Sequence, residues 1–201
     1  GVCVVTRDET DISGGVHFYT ETGVKLGSWT TSTGGIDDVD DYDLDGDGVD
    51  EIIIEPEESN TFYVLSHTGG LEWSASVTDN VYSITYQDLY DNDQYEVIVF
   101  SRDTTIPRGQ ISVFSPAGTL RGSITYDSGD LNSKYAPTYA DYVDLDGDGT
   151  EEIIPDPDRL EKKLDLLSAT CNPRDSKNLT FDCDSYSADY DFNGDGNNDI
   201  A

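Results

Sequence analysis

Carboxylates recur in this chain at alternate places of a short frame. Asp43-Leu44-Asp45-Gly46-Asp47-Gly48-Val49-Asp50-Glu51 carries acids at its first, third, fifth and ninth places and a glycine at its sixth, and the apolar run Ile52-Ile53-Ile54 follows at once. Side chains at alternate positions of a tight loop point inward, and a shell of hard oxygens suits Ca²⁺, which takes six to eight of them at roughly 2.3–2.6 Å. The glycine allows a sharp turn where a β-carbon would collide. The chemistry on offer is cation binding rather than bond making.

The frame occurs four times, at 43–51, 88–96, 144–152 and 191–199. The expected ligand places are Asp43, Asp45, Asp47, Val49 and Glu51 in the first copy and Asp144, Asp146, Asp148, Thr150 and Glu152 in the third. In the fourth they are Asp191, Asn193, Asp195, Asn197 and Asp199. The second copy retains Asp88, Asn92 and Glu96 but has Tyr90 at its third place and Asp93 where glycine belongs. Three Ca²⁺ ions are therefore expected, with a fourth place at Asp88 left open. Chance Asp-Gly turns do not explain ligands, glycine and a following apolar strand recurring together. An EF-hand would need a glutamate at position twelve and flanking helices; that position is Ile54, and both flanks read as strands.

The elements that must hold these loops read as short strands. Residues 36–44 alternate apolar and acidic into the first loop, and 51–55 leave it. Hairpin pairs are expected at 15–20 with 24–29, at 61–65 with 71–74 and at 110–114 with 120–124, each around a short turn. Val2 to Val5, 81–86, 96–100 and 139–143 complete the pattern. In the third unit Leu164–Leu167 and Leu179–Phe181 are the expected hairpin strands around a cysteine-flanked insertion, and only Asp158 to Leu167 has room for a helical turn or two. First ligands lie 45, 56 and 47 residues apart (43 to 88, 88 to 144, 144 to 191). Four strands per unit at that period mean propeller blades. The fold expected is all-β, a single domain over 1–201 of about four four-stranded blades.

These loops and the strands that leave them resemble the FG-GAP and VCBS repeats of integrin-α-like calcium-binding β-propellers, over nearly the whole chain. The resemblance implies a Ca²⁺-stabilised propeller, and propellers of this type commonly bind glycans or partner proteins.

The repeat pattern leaves an incoming strand and loop at the C-terminal end and an outgoing strand and hairpin at the N-terminal end. Three arrangements satisfy this: ring closure within one chain, strand exchange with a neighbouring copy, or an excerpt of a longer propeller. Unpaired half-blades invite end-to-end assembly of copies into a fibre or tandem array. A start at Gly1 fits a mature or excised product.

With 42 acidic against 11 basic residues the formal charge is −31, which disfavours nucleic acid and anionic membrane surfaces. No apolar run is long enough to span a membrane, so no membrane insertion is expected. Weak Ca²⁺ loops work where Ca²⁺ is abundant, which points to the cell exterior or surface. Asn178-Leu179-Thr180 is a glycosylation pattern in agreement. Cys171 and Cys183 are placed to face each other across a hairpin and form a disulfide, which leaves Cys3 as a buried thiol or a link to another chain.

No catalytic constellation stands out. The two histidines, His17 and His67, have no serine, cysteine or ligand set beside them in sequence. Paired carboxylates for polysaccharide hydrolysis are weighed against the metal loops, which account for the same acids better. Tyr63, Trp73, Tyr82 and Tyr86 read as packing residues before they read as a sugar platform. The chain is expected to be a non-catalytic extracellular module, structural or adhesive; the alternative is a monomeric propeller that binds a glycan or a protein.

Overall fold

The structure, a computed structural model, describes residues 2–7, 14–31, 35–103, 105–106, 108–127, 137–155 and 163–178. All fifteen elements among them are β-strands. The chain divides into two compact units, Gly1–Val81 and Tyr82–Ala201.

The first unit holds a three-stranded sheet, β1 (Val2–Arg7), β2 (Gly14–Tyr19) and β3 (Lys25–Thr31). It also holds a four-stranded sheet of β4 (Ile36–Tyr42), β5 (Glu51–Pro56), β6 (Thr61–Leu65) and β7 (Leu71–Ser76), paired in chain order. The other two sheets, which belong to the second unit from Tyr82 on, are β8 (Asn80–Gln87), β9 (Glu96–Asp103), β10 (Arg108–Phe114) and β11 (Leu120–Tyr126), then β12 (Ala140–Val143), β13 (Glu152–Pro155), β14 (Lys163–Leu167) and β15 (Pro173–Asn178). Each four-stranded sheet runs in chain order, and every pairing whose register is resolved is antiparallel. This is the up-and-down connectivity of a propeller blade. The first sheet has an outgoing strand and a hairpin, as read from the sequence; the segment expected to supply its fourth strand lies outside the described residues.

Burial follows the apolar runs. The outgoing strands β5 and β13 are buried along their whole length, as is β9 through Ser101, whereas β7 and β11 alternate between exposed and half-buried. A continuous run such as Val97-Ile98-Val99-Phe100 fits a strand covered on both faces, and alternation fits an outer strand with one wet face. In the first unit Val16, Phe18, Ile36, Ile52, Ile54 and Leu65 form one cluster, and Trp29 packs on Tyr63 with ring centroids 4.7 Å apart. In the second, Leu89, Ile98, Phe100, Ile111 and Val113 join Tyr126, Ile153 and Leu167.

One turn is repeated four times. The hairpins open at Thr20, Ser66, Ser115 and Ser168, each of which accepts at its carbonyl from the residue three on and donates its N–H to the carbonyl four on, at 2.8–2.9 Å. The side-chain hydroxyl accepts from that fourth residue's N–H as well, at 3.0–3.2 Å. The residue three on has positive φ: Gly23, Gly69, Gly118 and Cys171. A type I turn closed by a left-handed residue leaves a bulge where the next strand begins, and the register shifts there in all four hairpins.

The fourth of these turns corrects the reading of the third unit. Its turn runs from Ser168 to Asn172 and the strand after it is Pro173–Asn178, inside the expected insertion; the expected strand at 179–181 lies outside the described residues. Cysteine in the glycine place conceals the turn from composition. Residues 163–167 are a strand and carry no helical turn. Cys171 is a buried thiol, pushed up to about 12 by burial; Cys183, its expected disulfide partner, lies outside the described residues.

Glycine also sets how neighbouring sheets meet inside each unit. A β-carbon on Gly27 of β3 would overlap the carbonyl oxygen of Thr68 in the β6–β7 turn, and one on Gly122 of β11 would overlap that of Thr170 in the β14–β15 turn. In both units the next sheet's turn seats its carbonyl on the bare backbone of the preceding outer strand.

Candidate metal centres

Each of the three described loops joins the first and second strands of its sheet, which fixes both of its ends. The second residue anchors it: Leu44 and Leu89 are buried, and Leu145 packs on Val143 and Ile154. Their N–H groups donate to Oε2 of the ninth residue, Leu44 to Glu51 at 3.0 Å, Leu89 to Glu96 at 3.2 Å and Leu145 to Glu152 at 3.0 Å.

The first aspartate organises the turn. Asp43 accepts from Gly46 and Gly48 at 2.9 Å and from Asp47 at 3.1 Å. Asp144 accepts from Gly147 at 2.8 Å, Gly149 at 2.9 Å and Asp148 at 3.1 Å. Gly46, Gly48, Gly147 and Gly149 all have positive φ, which glycine adopts without the steric cost other residues meet. The second loop keeps the same path without glycine, with Asp91 at φ 49° and Asp93 at φ 59°. Asp88 accepts there from Asn92 at 3.0 Å and Asp93 at 2.7 Å.

Two triads converge. Asp43, Asp45 and Glu51, and likewise Asp144, Asp146 and Glu152, offer carboxylate oxygens that lie within 4.8 Å of one another. Among the described residues no such triad forms at 88–96. Asp47 and Asp148 accept from Val49 at 2.8 Å and Thr150 at 2.9 Å and stand outside the triads, as do Val49 and Thr150 themselves. Asn92 accepts from Gln94 at 3.0 Å. The fourth set, Asp191 to Asp199, lies outside the described residues, and Asn178 ends β15.

The donor set fits a hard divalent cation. Glu51 is 8% exposed, and burial pushes its carboxyl up to about 7; the Leu44 N–H opposes this, while Asp45, Glu72 and Asp47 add to it. A carboxylate kept ionised so reluctantly, inside a cluster of like charge, is relieved by a cation. Asp43, Asp45 and Glu51 would hold it in the first loop and Asp144, Asp146 and Glu152 in the third. Its contribution would be charge neutralisation and closure of the turn.

Four residues that stand against the loops or within them escaped the sequence reading. The bulge places Glu72, Arg121 and Arg174 at equivalent positions of β7, β11 and β15, one residue past the strand's first. Arg121 pairs with the buried Glu96 at 2.9 Å and lies over the Tyr90 ring at 4.7 Å. Arg174 Nη1 donates to Asp146 at 2.9 Å and to Glu152, and Nη2 donates to Asp148 at 3.4 Å. Glu72 instead adds a carboxyl, raised by burial and then by Asp45 and Asp47. Counting three residues from each hairpin glycine would have found the first two. The fourth is Glu151, whose N–H donates to Leu89 O at 2.9 Å and whose Oε2 is buried without a hydrogen-bond partner. Burial raises its carboxyl, a Gln87 hydrogen bond opposes, and Asp88, Asp144 and Asp91 add to the rise.

Trp73 and Tyr63 behave as packing groups, whereas Tyr82 is exposed. Trp73 meets Phe62 edge-on at 5.5 Å, Tyr63 is covered by Trp29, and Arg102 lies 3.6 Å over the Tyr82 ring. A cavity of about 570 Å³ opens in the first unit beside Gly48, Val49 and Asp50, lined also by Tyr19, Leu26 and His67.

Antiparallel four-stranded units, each with an acidic loop between its first two strands, define a blade-repeat protein with candidate divalent-cation loops. No protein-family model matches the chain, and no curated protein matches it. Among solved structures it is similar to the biofilm matrix protein Bap1 of V. cholerae, at 16% identity and TM-score 0.38, covering 88% of this chain and 35% of that one. It is also similar to BamB from Moraxella catarrhalis, at 15% identity and TM-score 0.45, covering 88% and 52%. A third is BBS1N in complex with ARL6DN, at 9% identity and TM-score 0.48, covering 92% and 49%. The chain thus spans from 35% to 52% of these proteins' lengths.

Proposed function

We propose that this chain is a non-catalytic, extracellular β-propeller-type module whose acidic loops take Ca²⁺, serving a structural or adhesive role with other copies of itself or a glycan or protein as partner. The observation that carries the reading is the convergence of Asp43, Asp45 and Glu51, and of Asp144, Asp146 and Glu152, in two loops of the same construction. Both loops lead into buried strands, β5 and β13, so an ion there would add to the free energy of folding. Thermal unfolding in Ca²⁺ and in chelator tests the metal, with a higher melting temperature expected in Ca²⁺ and no difference refuting it. Light scattering at high concentration in Ca²⁺ tests self-assembly: growth of large particles is expected, and monodisperse particles of the single-chain mass refute it.

One observation favours the monomeric glycan-binding alternative, the cavity beside the first loop with Tyr19 and His67 on its wall. A glycan array hit lost in Tyr19→Ala supports it; an empty array removes it.

A further inference from the structure

The three described loops differ most in the residue their own outer strand turns toward them. At that place β7 presents Glu72, β11 presents Arg121 and β15 presents Arg174. Arg174 reaches three carboxylates of the 144–152 loop, Asp146, Asp148 and Glu152. Two of them belong to the triad a metal would use. A guanidinium is planar, always charged and presents several donors in a fork, so one arginine can bridge several carboxylates as no single lysine can. In the second loop the arrangement is fixed further: Tyr90 stands in the third ligand place and its ring carries Arg121, while Glu96, fully buried, has Arg121 as its ion partner. The first loop has no such cation from β7, and Glu72 enlarges its negative charge.

We propose that Arg174 is a tethered cation that closes the 144–152 loop without metal and must be displaced for Ca²⁺ to enter, whereas 43–51, faced by Glu72, depends on Ca²⁺. The proposal rests on the Ca²⁺ reading of these loops and adds the order in which they fill. An ion that must compete with a resident group binds with an apparent affinity reduced by the fraction of time the loop stands open. A single positive charge on a side chain also leaves part of the acidic cluster uncompensated, so displacement by a divalent ion remains favourable at sufficient Ca²⁺. The 88–96 loop, with one ligand place lost and its glutamate held, is closed by arginine throughout.

The test is a Ca²⁺ titration of the full chain followed by the backbone amide resonances of Gly46 and Gly48 against Gly147 and Gly149, in wild type, Arg174→Gln and Arg174→Lys. In wild type the Gly48 pair saturates first. Arg174→Gln lowers the midpoint at Gly149 by about tenfold and leaves that at Gly48 unchanged, and Arg174→Lys falls between the two. A Gly48 response with an unmoved or higher Gly149 midpoint in both variants overturns the tether alone. No response at any of the four glycines in any protein overturns the metal reading and the tether with it.

Discussion

The loops at 43–51 and 144–152 have almost the same letters, the same backbone bonds to their first aspartate and the same left-handed glycines, yet they face opposite charges. Glu72 stands against one and Arg174 against the other. The frame of the loop decides where a cation fits. The residue delivered by the hairpin bulge decides whether the protein has already placed a cation there. Loop sequence alone does not distinguish these two loops, because the residue in which they differ lies 21 or more positions away on the far edge of the sheet (51 to 72, 152 to 174).

The largest effect comes from breaking what the two regions share. Gly27→Ala and Gly122→Ala each push a β-carbon into the carbonyl that the next turn seats there, and each should cost roughly 2–4 kcal/mol in chemical denaturation. Equal stability of either variant to wild type would refute the seating.

Exchanging the facing charges sharpens the contrast next. Glu72→Arg gives the first loop the third loop's neighbour, and it should weaken Ca²⁺ binding at Gly48 by about tenfold while raising the melting temperature in chelator. A Ca²⁺ midpoint that does not move would show that β7 plays no part in that site.

The pH dependence separates buried carboxyls with and without a cation. Glu51 and Glu55 are both pushed up to about 7, by burial first and by neighbouring acids second. The folded state thus binds their protons more tightly than the unfolded chain, whose carboxyls titrate near 4.5. Stability without metal should then fall as pH rises from about 4.5 through about 7. Ca²⁺ prefers the ionised Glu51 and should flatten that fall. Glu55→Gln should remove its share of the slope with or without Ca²⁺, and a slope unchanged in that variant would contradict the assignment.

The smallest effect lies in the second loop. Asp93 holds a left-handed conformation that its counterparts Gly48 and Gly149 adopt freely. Asp93→Gly should stabilise by about 0.5 kcal/mol, the relief of strain being partly offset by a more flexible unfolded chain. A loss of stability would show that the Asp93 side chain contributes more than its backbone costs.

The strands, their order within each sheet and the acidic loops were legible because apolar runs, turn residues and ligand spacing repeat locally. The turn at Ser168–Asn172 was not, since Cys171 stands where three other hairpins have glycine. The acids that converge are fewer than the acids at ligand spacing: Asp47 and Asp148 stand outside the triads. Glu72, Arg121, Arg174 and Glu151 were missed for a different reason. Their roles arise from bulge register and from sheet packing within a unit, and only the first two could have been reached, by counting from a hairpin glycine.

The most direct measurement is the anomalous scattering of Ca²⁺ in crystals grown at limiting Ca²⁺. An ion bound by Asp43, Asp45 and Glu51, with weaker density at Asp144, Asp146 and Glu152 and none at Asp88, is the predicted result. Full occupancy at 144–152 with Arg174 still in place, or an ion at Asp88 with none at Asp43, would contradict it.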